Sequence, residues 1–520
     1  MRSKYTIVLI TVCLVLAGVS CKKILSNTPT DFVTQVNYFN SESEVNIALA
    51  GVYDPLQRNE MYGKALHMDL TMCDEGFYRL SSLNTGPLVY NYDATDITIL
   101  QYWTALYDGI NRANIFLENV DRATMDATNK NVAKGEVLFL RAYYYFLLVR
   151  DFGAVPLKLS STKSVGEVNI ARTPIKDVYA QILQDMTTAE GMVRTWTSWG
   201  YPGHVTKTAI EAILARVCLT MASKPLQDVS KYQDALNWAK KVVDSKEHSL
   251  NPDYKQIFIN IAQDKYDVQY KESMWEVEFF GNRVGTSFDE TGGVGRYLGP
   301  TCTDIPTGYC YGNIHVTSKI INMYANNDVN DVRRDWNIAP YKYTGSVKTL
   351  FAATNVYDRT GAKFYREYET LLPRDQFSTP QNWPVIRYAE VLLIYAEAEN
   401  ELNGPTAIAH QYLNMVRARA KTFQYTGAKL ITDKSIFRQA VMDERARELA
   451  FEGARKYDLI RTGTLVAEMK AMSAIVRLAP STAYPQAVRP GDLASDRNLL
   501  LPIPSRELSL NSAMTQNPGW

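Results

Sequence analysis

The chain has 520 residues, 21% of them charged and 46% hydrophobic, with a formal net charge of +1. That balance excludes the strongly basic face a nucleic-acid binder needs. Length alone would give about three domains, although solenoid repeats escape that rule.

The first residues place Arg2 and Lys4 ahead of an apolar run from Tyr5 to Gly18. The run is too short for a spanning helix, which takes about 20 residues, and has the layout of a secretory signal. It closes with Gly18-Val19-Ser20 and then Cys21. The reading is a lipoprotein signal over residues 1–20 with the lipid on Cys21, although Gly18 stands where such signals usually carry an aliphatic residue. No later run of 18 or more uncharged apolar residues occurs, and "VLFLRAYYYFLLVRDFG" is interrupted by Arg141 and Arg150. The expected mature chain, 21–520, is soluble and tethered by acyl groups alone.

Helical periodicity dominates the chain after Cys21. "SESEVNIALAGVYDPLQ" opens with Ser41 as cap and sets Val45, Ala48, Leu49 and Val52 on one face. "YWTALYDGINRANIFLENV" repeats the pattern, and "NVAKGEVLFLRAYYYFLLVRDFGAVPL" ends at Gly153 and Pro156. "TPIKDVYAQILQDMTTAEGMV" starts with Thr173 as cap and Pro174 at the first helical position. "TKTAIEAILARVCLTMAS" and "YQDALNWAKKVVDS" form another pair. The last helices are "WPVIRYAEVLLIYAEAENELNG", "TAIAHQYLNMVRARA" and "IFRQAVMDERARELAFEGARKYDLIRTG". The expected fold is mainly α: antiparallel helix pairs over about 41–245 and 383–465, with the small-residue packing of tetratricopeptide hairpins. Between them, about 246–382 is rich in glycine and tyrosine and reads as an irregular insert of loops and short strands.

Little chemistry stands out. No pair of the five histidines has zinc spacing. "GGVGRYLG" lacks the third glycine of a dinucleotide loop, and "NNDVNDVRRD" lacks the turn glycine and terminal glutamate of a calcium loop. Asp289-Glu290 are adjacent acids in a loop, the remaining footing for a surface glycoside hydrolase. No cofactor or metal is expected. The charged helix around Glu444, Arg445, Arg447 and Glu448 reads as a salt-bridged scaffold face. Cys73 and Cys218 read as small buried hydrophobes, whereas an exported protein permits a disulfide between Cys302 and Cys310.

"FLRAYYYFLLVRDFGAVPL", "WPVIRYAEVLLIYAEAENELNG", "DERARELAFEGARKYDLIRTG" and "LLPIPSRELSLNSAMTQNPGW" resemble the signature blocks of the SusD/RagB family. The resemblance spans nearly the whole mature chain in order. It implies an outer-membrane, surface-facing lipoprotein without catalytic activity. Such a protein binds a glycan, or in RagB-like members a peptide, and partners a TonB-dependent transporter of the SusC type. The family's shared blocks are scaffold, so the ligand residues have to come from loop chemistry. Sugars need aromatic planes and a few orienting polar groups, and aromatics in loops are the better candidates. On the loop "MCDEGFYRLSSLNTGPLVYNYD" these are Asp74, Arg79, Tyr90 and Tyr92; on the insert they are Tyr297, Tyr309, Tyr311, Trp336, Tyr341 and Tyr343. The 33 tyrosines favour a glycan over a peptide.

Overall fold

A computed structural model describes residues 38–167, 169–281, 292–478 and 485–520. Cys21, the leader before it and the Asp289-Glu290 pair lie outside the described residues.

Eight helices form the scaffold: α1 Glu42–Gln57, α2 Ile97–Asn119, α3 Ala127–Phe152, α4 Ile175–Glu190, α5 Lys207–Ala222, α6 Lys231–Ser245, α7 Tyr388–Asn403 and α8 Ala407–Arg419. Each packs on its pair-mate, α1 on α2, α3 on α4, α5 on α6 and α7 on α8. Successive pairs also touch, α2 with α3, α4 with α5 and α6 with α7, so the pairs stack into one continuous scaffold. Two further helices, α9 Lys434–Glu448 and α10 Arg455–Thr462, close its end.

Local chemistry sets the boundaries. Ser41 and Glu44 make a reciprocal capping box on α1, and Asp96 caps α2 through the amides of Thr98 and Ile99. Gly153 stops α3 at φ +73°, where a side chain would be strained. Helix α4 begins one residue later than expected: Pro174 is the cap, and the Thr173 amide instead donates to the Val155 carbonyl. Helix α3 is buried nearly all round. Its three consecutive tyrosines tolerate this because each hydroxyl has a partner: Tyr143 with Tyr62, Tyr144 with the Val52 carbonyl, and Tyr145 with that of Lys158.

Two expected helices are divided differently. Trp383–Arg387 forms a strand, not the first turn of α7, and pairs antiparallel with Ser273–Val277. The second strand drives Trp275 against Phe139 and Tyr143 in the scaffold core. The segment read as one helix to Gly463 breaks between Glu448 and Arg455, where Phe451 and Gly453 adopt φ of +59° and +73°. Further two-stranded antiparallel sheets join Gly76–Tyr78 to Ile314–Val316 and Tyr341–Thr344 to Val347–Leu350. One apolar core runs from Phe39 to Met514 and includes residues of both scaffold and insert.

The charged helix is not a solvated face. Glu444 and Glu448 are fully buried. Glu448 accepts from Arg387 at 3.0 Å, Arg419 at 2.5 Å and Arg333 at 3.0 Å, and Glu444 from Arg333 and Arg417 at 2.7 Å each. The Glu444–Arg447 pair forms as the spacing suggests, whereas Arg445 turns to Asp458 and Glu390. Burial alone would raise the Glu448 carboxyl, but Arg419, Arg387, Arg333 and Lys363 outweigh it and bring its pKa from 4.5 to about 2. The unfolded chain therefore binds more protons than the folded one between these values. The stabilisation is complete above about pH 4.5 and disappears as pH falls toward 2. Glu448→Ala is expected to lower stability by about 3–5 kcal/mol, since it strands buried guanidinium groups. Denaturant melts at pH 7 and pH 4 check this, with a wild-type loss at low pH that the variant shares only in part.

Candidate functional site

The strand pair Gly76–Tyr78 with Ile314–Val316 brings the two candidate loop regions together. Tyr78 lies opposite Ile314, and the Arg79 amide donates to the Asn313 carbonyl at 3.0 Å. Asn313 Nδ2 also donates to the Tyr78 hydroxyl at 3.2 Å. The chain just before Asn313 carries Tyr309 and Tyr311, both half-exposed.

An aromatic surface forms here around Arg296. Its guanidinium lies 4.6 Å from the Tyr311 ring centre, 5.2 Å from Tyr297 and 5.0 Å from Phe377, and it donates to the Tyr311 hydroxyl at 2.9 Å. Tyr297 stacks on Tyr311 with centroids 6.1 Å apart and 22° between planes, while Tyr309 meets Tyr311 edge-on at 5.1 Å. Phe377 is 39% exposed. Flat rings held by a cation with free N–H capacity are what a sugar's C–H face and hydroxyl rim require.

A second group surrounds Glu367. Tyr341 and Tyr343 both donate to its carboxylate, and Lys348 pairs with it at 3.0 Å while sitting over the Tyr341 ring. Burial, and then the nearby carboxylate among the causes, raise both phenols above their usual value. The two groups are linked through the backbone: Tyr343 N–H donates to the Thr301 carbonyl, beside the Cys302–Cys310 bridge pair.

Other candidates belong to the interior. Asp74 is 2% exposed and paired with Arg455 at 2.9 Å and Lys319 at 2.5 Å. Burial opposes its ionisation, yet the two cations bring its pKa down to about 2. Tyr90 is buried among Leu459, Leu465 and Met469, with its hydroxyl on the Met72 carbonyl. Tyr92 packs on Trp520 and accepts from Asn498. Trp336 packs 4.3 Å from Tyr365 and is 5% exposed. These four are corrected from ligand contacts to packing and pairing roles. Tyr297, at 8% exposure, supports Tyr311 from beneath rather than offering a free face. Cys302 and Cys310 are free thiols, joined through their backbone amides and carbonyls at 2.9 Å and not by a disulfide. Cys73 and Cys218 are buried as expected.

Sequence reasoning does not single out Tyr78, Arg296, Asn313, Phe377 or Glu367. Tyr78 carries a signal: it stands next to Arg79 in "GFYRL", a short strand whose side chains alternate. In the turn around Asp328 and Asp331, the carboxylates serve the chain itself, Asp328 accepting from the Asn330 and Phe423 amides and Asp331 pairing with Arg333. Among the described residues no group of three or more His, Cys, Asp or Glu is placed to hold a metal, and no helix is long and apolar enough to cross a membrane.

Comparison with known proteins bears on this architecture. Residues 271–520 match the model of the SusD family, and residues 25–219 match a model described as starch-binding associating with outer membrane. SusD-like protein P2 of Formosa agariphila is 26% identical over 543 residues, covering 99% of this chain and 100% of its own. A crystal structure of a SusD homologue from Bacteroides thetaiotaomicron is 29% identical, covers 94% of this chain and 98% of its own, and superposes with a TM-score of 0.86. Surface glycan-binding protein A of the same organism, solved with laminarihexaose, shares the fold at 19% identity, with 92% and 100% coverage and a TM-score of 0.71. Two family models in chain order, near-complete relatives and a common helical scaffold agree, and the chain belongs to the SusD family.

Proposed function

We propose that the protein captures a glycan at the outer-membrane surface and passes it to a SusC-like TonB-dependent transporter, with a lipid on Cys21 as its tether. The observation that carries the glycan reading is the partly exposed ring group of Tyr309, Tyr311 and Phe377 around Arg296. Tyr341 and Tyr343 extend it across the Thr301–Cys310 segment, and Arg79 borders it beside Tyr78 and Asn313. Solved relatives bind laminarin or laminarihexaose, which makes β-glucan oligosaccharides the first probes and other neutral glycans the next. The transporter and membrane assignments rest on family membership and on the run that ends at Cys21.

Replacing Tyr309 and Tyr311 by Ala is expected to remove about 1–3 kcal/mol of binding per ring, at least tenfold for the pair, with the melting temperature almost unchanged. Calorimetry against a glycan panel reads the first effect and thermal melting the second. Unaltered affinity for a glycan the wild type binds would move the site elsewhere. Tyr90→Ala and Trp336→Ala are expected to do the opposite, costing about 3–5 kcal/mol of stability through the cavities they leave. Cys21→Ala, expressed in the native cell, is expected to shift the protein from the outer-membrane fraction to the soluble one. Retention in the membrane would show a tether other than the lipid.

A further inference from the structure

We infer that the groove between α1 and the strand Ser273–Val277 is a binding site for a ligand that carries a primary ammonium group. It shares no residue with the Arg296 surface, so it stands whether or not that surface binds a glycan. The groove holds about 750 Å³, within the roughly 300–1,000 Å³ of small-molecule pockets. Its walls are α1 between Asn46 and Gln57, Arg112 of α2, the turn from Trp199 to His204, and Glu276 to Glu278. Gln57 joins α1 to the strand by donating to the Glu278 carbonyl at 2.8 Å, and the Glu276 amide joins the turn by donating to Pro202 at 3.0 Å.

Charge balance gives the site its sign. Arg112 is spent on Asp54 at 3.0 Å, Asp108 at 3.1 Å and the Gly51 carbonyl at 2.8 Å. His204 Nδ1 lies 2.8 Å from Glu136, which also accepts from the Tyr53 hydroxyl. Glu276 and Glu278 remain, and neither is in an ion pair among the described residues. Asn382 Nδ2 donates to Glu276 Oε2 at 2.9 Å, and the Tyr266 hydroxyl donates to Glu278 Oε1 at 2.6 Å. Their other oxygens accept no hydrogen bond among the described residues and are not sealed from solvent. Glu276 is 5% exposed. Burial, with Glu278 and Asp264 adding to it, holds its pKa at about 7, although the Asn382 amide and the nearby Ser273 hydroxyl pull the other way. A carboxylate buried without a cation is unfavourable, and an ammonium entering beside it removes that penalty.

The geometry suits N–H donors. Successive side chains of an extended segment alternate, so Glu276 and Glu278 face the same way. Gly203 leaves room for the second carboxylate, since a Cβ there would lie 2.3 Å from Glu278 Oε2. An ammonium has three donors to share between the two. Among the described residues no third His, Cys, Asp or Glu joins them to hold a metal. Rings complete the surroundings at the rim. Trp199 is stacked on His204 at 3.8 Å and has Arg194 4.9 Å from its centre, so it is closed to another cation. Tyr201 and Tyr266 lie 5.5 Å apart, and Tyr266, 38% exposed, is the ring tied to Glu278. A cation between a tyrosine face and a carboxylate is attracted by both.

An amino sugar and a lysine side chain both offer such a group, and one experiment separates them. Calorimetry at pH 7 and constant ionic strength uses D-glucosamine, Nα-acetyl-lysine amide and the neutral N-acetyl-D-glucosamine. The protein carries Tyr309→Ala and Tyr311→Ala, so that the Arg296 surface does not contribute. Saturable binding of at least one amine is expected, the tighter marking the source, with N-acetyl-D-glucosamine at least tenfold weaker. Glu276→Gln and Glu278→Gln are each expected to weaken amine binding about tenfold by removing a charged acceptor. Failure of both amines to bind, equal binding of the N-acetyl sugar, or full affinity in either folded variant overturns the proposal. If Glu276→Gln does not fold, the half-buried Glu278→Gln decides alone.

Discussion

The Glu448 carboxylate must stay ionised in an interior closed to water, and three guanidinium groups from distant parts of the chain make that happen. Arg387 arrives at the end of a strand, Arg419 at the end of α8, and Arg333 from the insert. The Glu448 backbone carbonyl accepts as well, from Lys363, Tyr254 and Arg387. Removing so many charges from water offsets much of the Coulombic gain. What the network fixes is orientation, because planar guanidinium forks accept few alternative placements of the carboxylates they hold.

The insert's regular elements are short, none among the described residues longer than the helix Tyr254–Ala262, and it keeps its place through this corner. Arg333 begins the turn that carries Trp336 and Asn337, and Asn337 is held by Tyr254 and Tyr324. Lys363 grips the carbonyls of Glu448 and Ala450 and the carboxylate of Glu452. From these fixed points the backbone reaches outward to Tyr341 and Tyr343 on one side and, through the Cys302–Cys310 bridge pair, to Tyr309 and Tyr311 on the other. A rigid frame with varied loops on it is how one fold serves many ligands.

Periodicity makes the scaffold readable, because a stripe of apolar residues every third or fourth position comes directly from helix geometry. Ser41 and Asp96 show how far local chemistry reaches, since both caps are equally plain in sequence although only Ser41 enters the reading. "WPVIR" misleads because five buried residues fit a strand or the start of a helix equally well, and only pairing with Ser273–Val277 decides between them. The run around Glu448 misleads for a different reason. Charge spacing along a helix looks the same on a solvated face and in a core, and the guanidinium partners of the Glu448 carboxylate lie from 29 to 115 residues away. Tyr90 and Trp336 carry the same lesson for the site. A loop aromatic is as good a plug as a platform, and depth is a tertiary property. Arg296 stands next to Tyr297 in "GGVGRYLG", yet only the fold gathers Tyr311 and Phe377 around its guanidinium.

Asp74 and Arg455 are separated by 381 positions, and the strand pairing at Tyr78 spans more than 230 residues. Contacts of this length form only after most of the polypeptide is present, and chains dominated by them fold slowly. A product that stops short of Arg455 has no guanidinium for Asp74 and none of the α10 corner, so its amino-terminal loop keeps only the insert, through Ile314–Val316 and Lys319, to close against. The consequence is an aromatic surface that reports on the whole chain: a polypeptide that sets Tyr78 beside Asn313 has already brought segments more than 230 positions apart together.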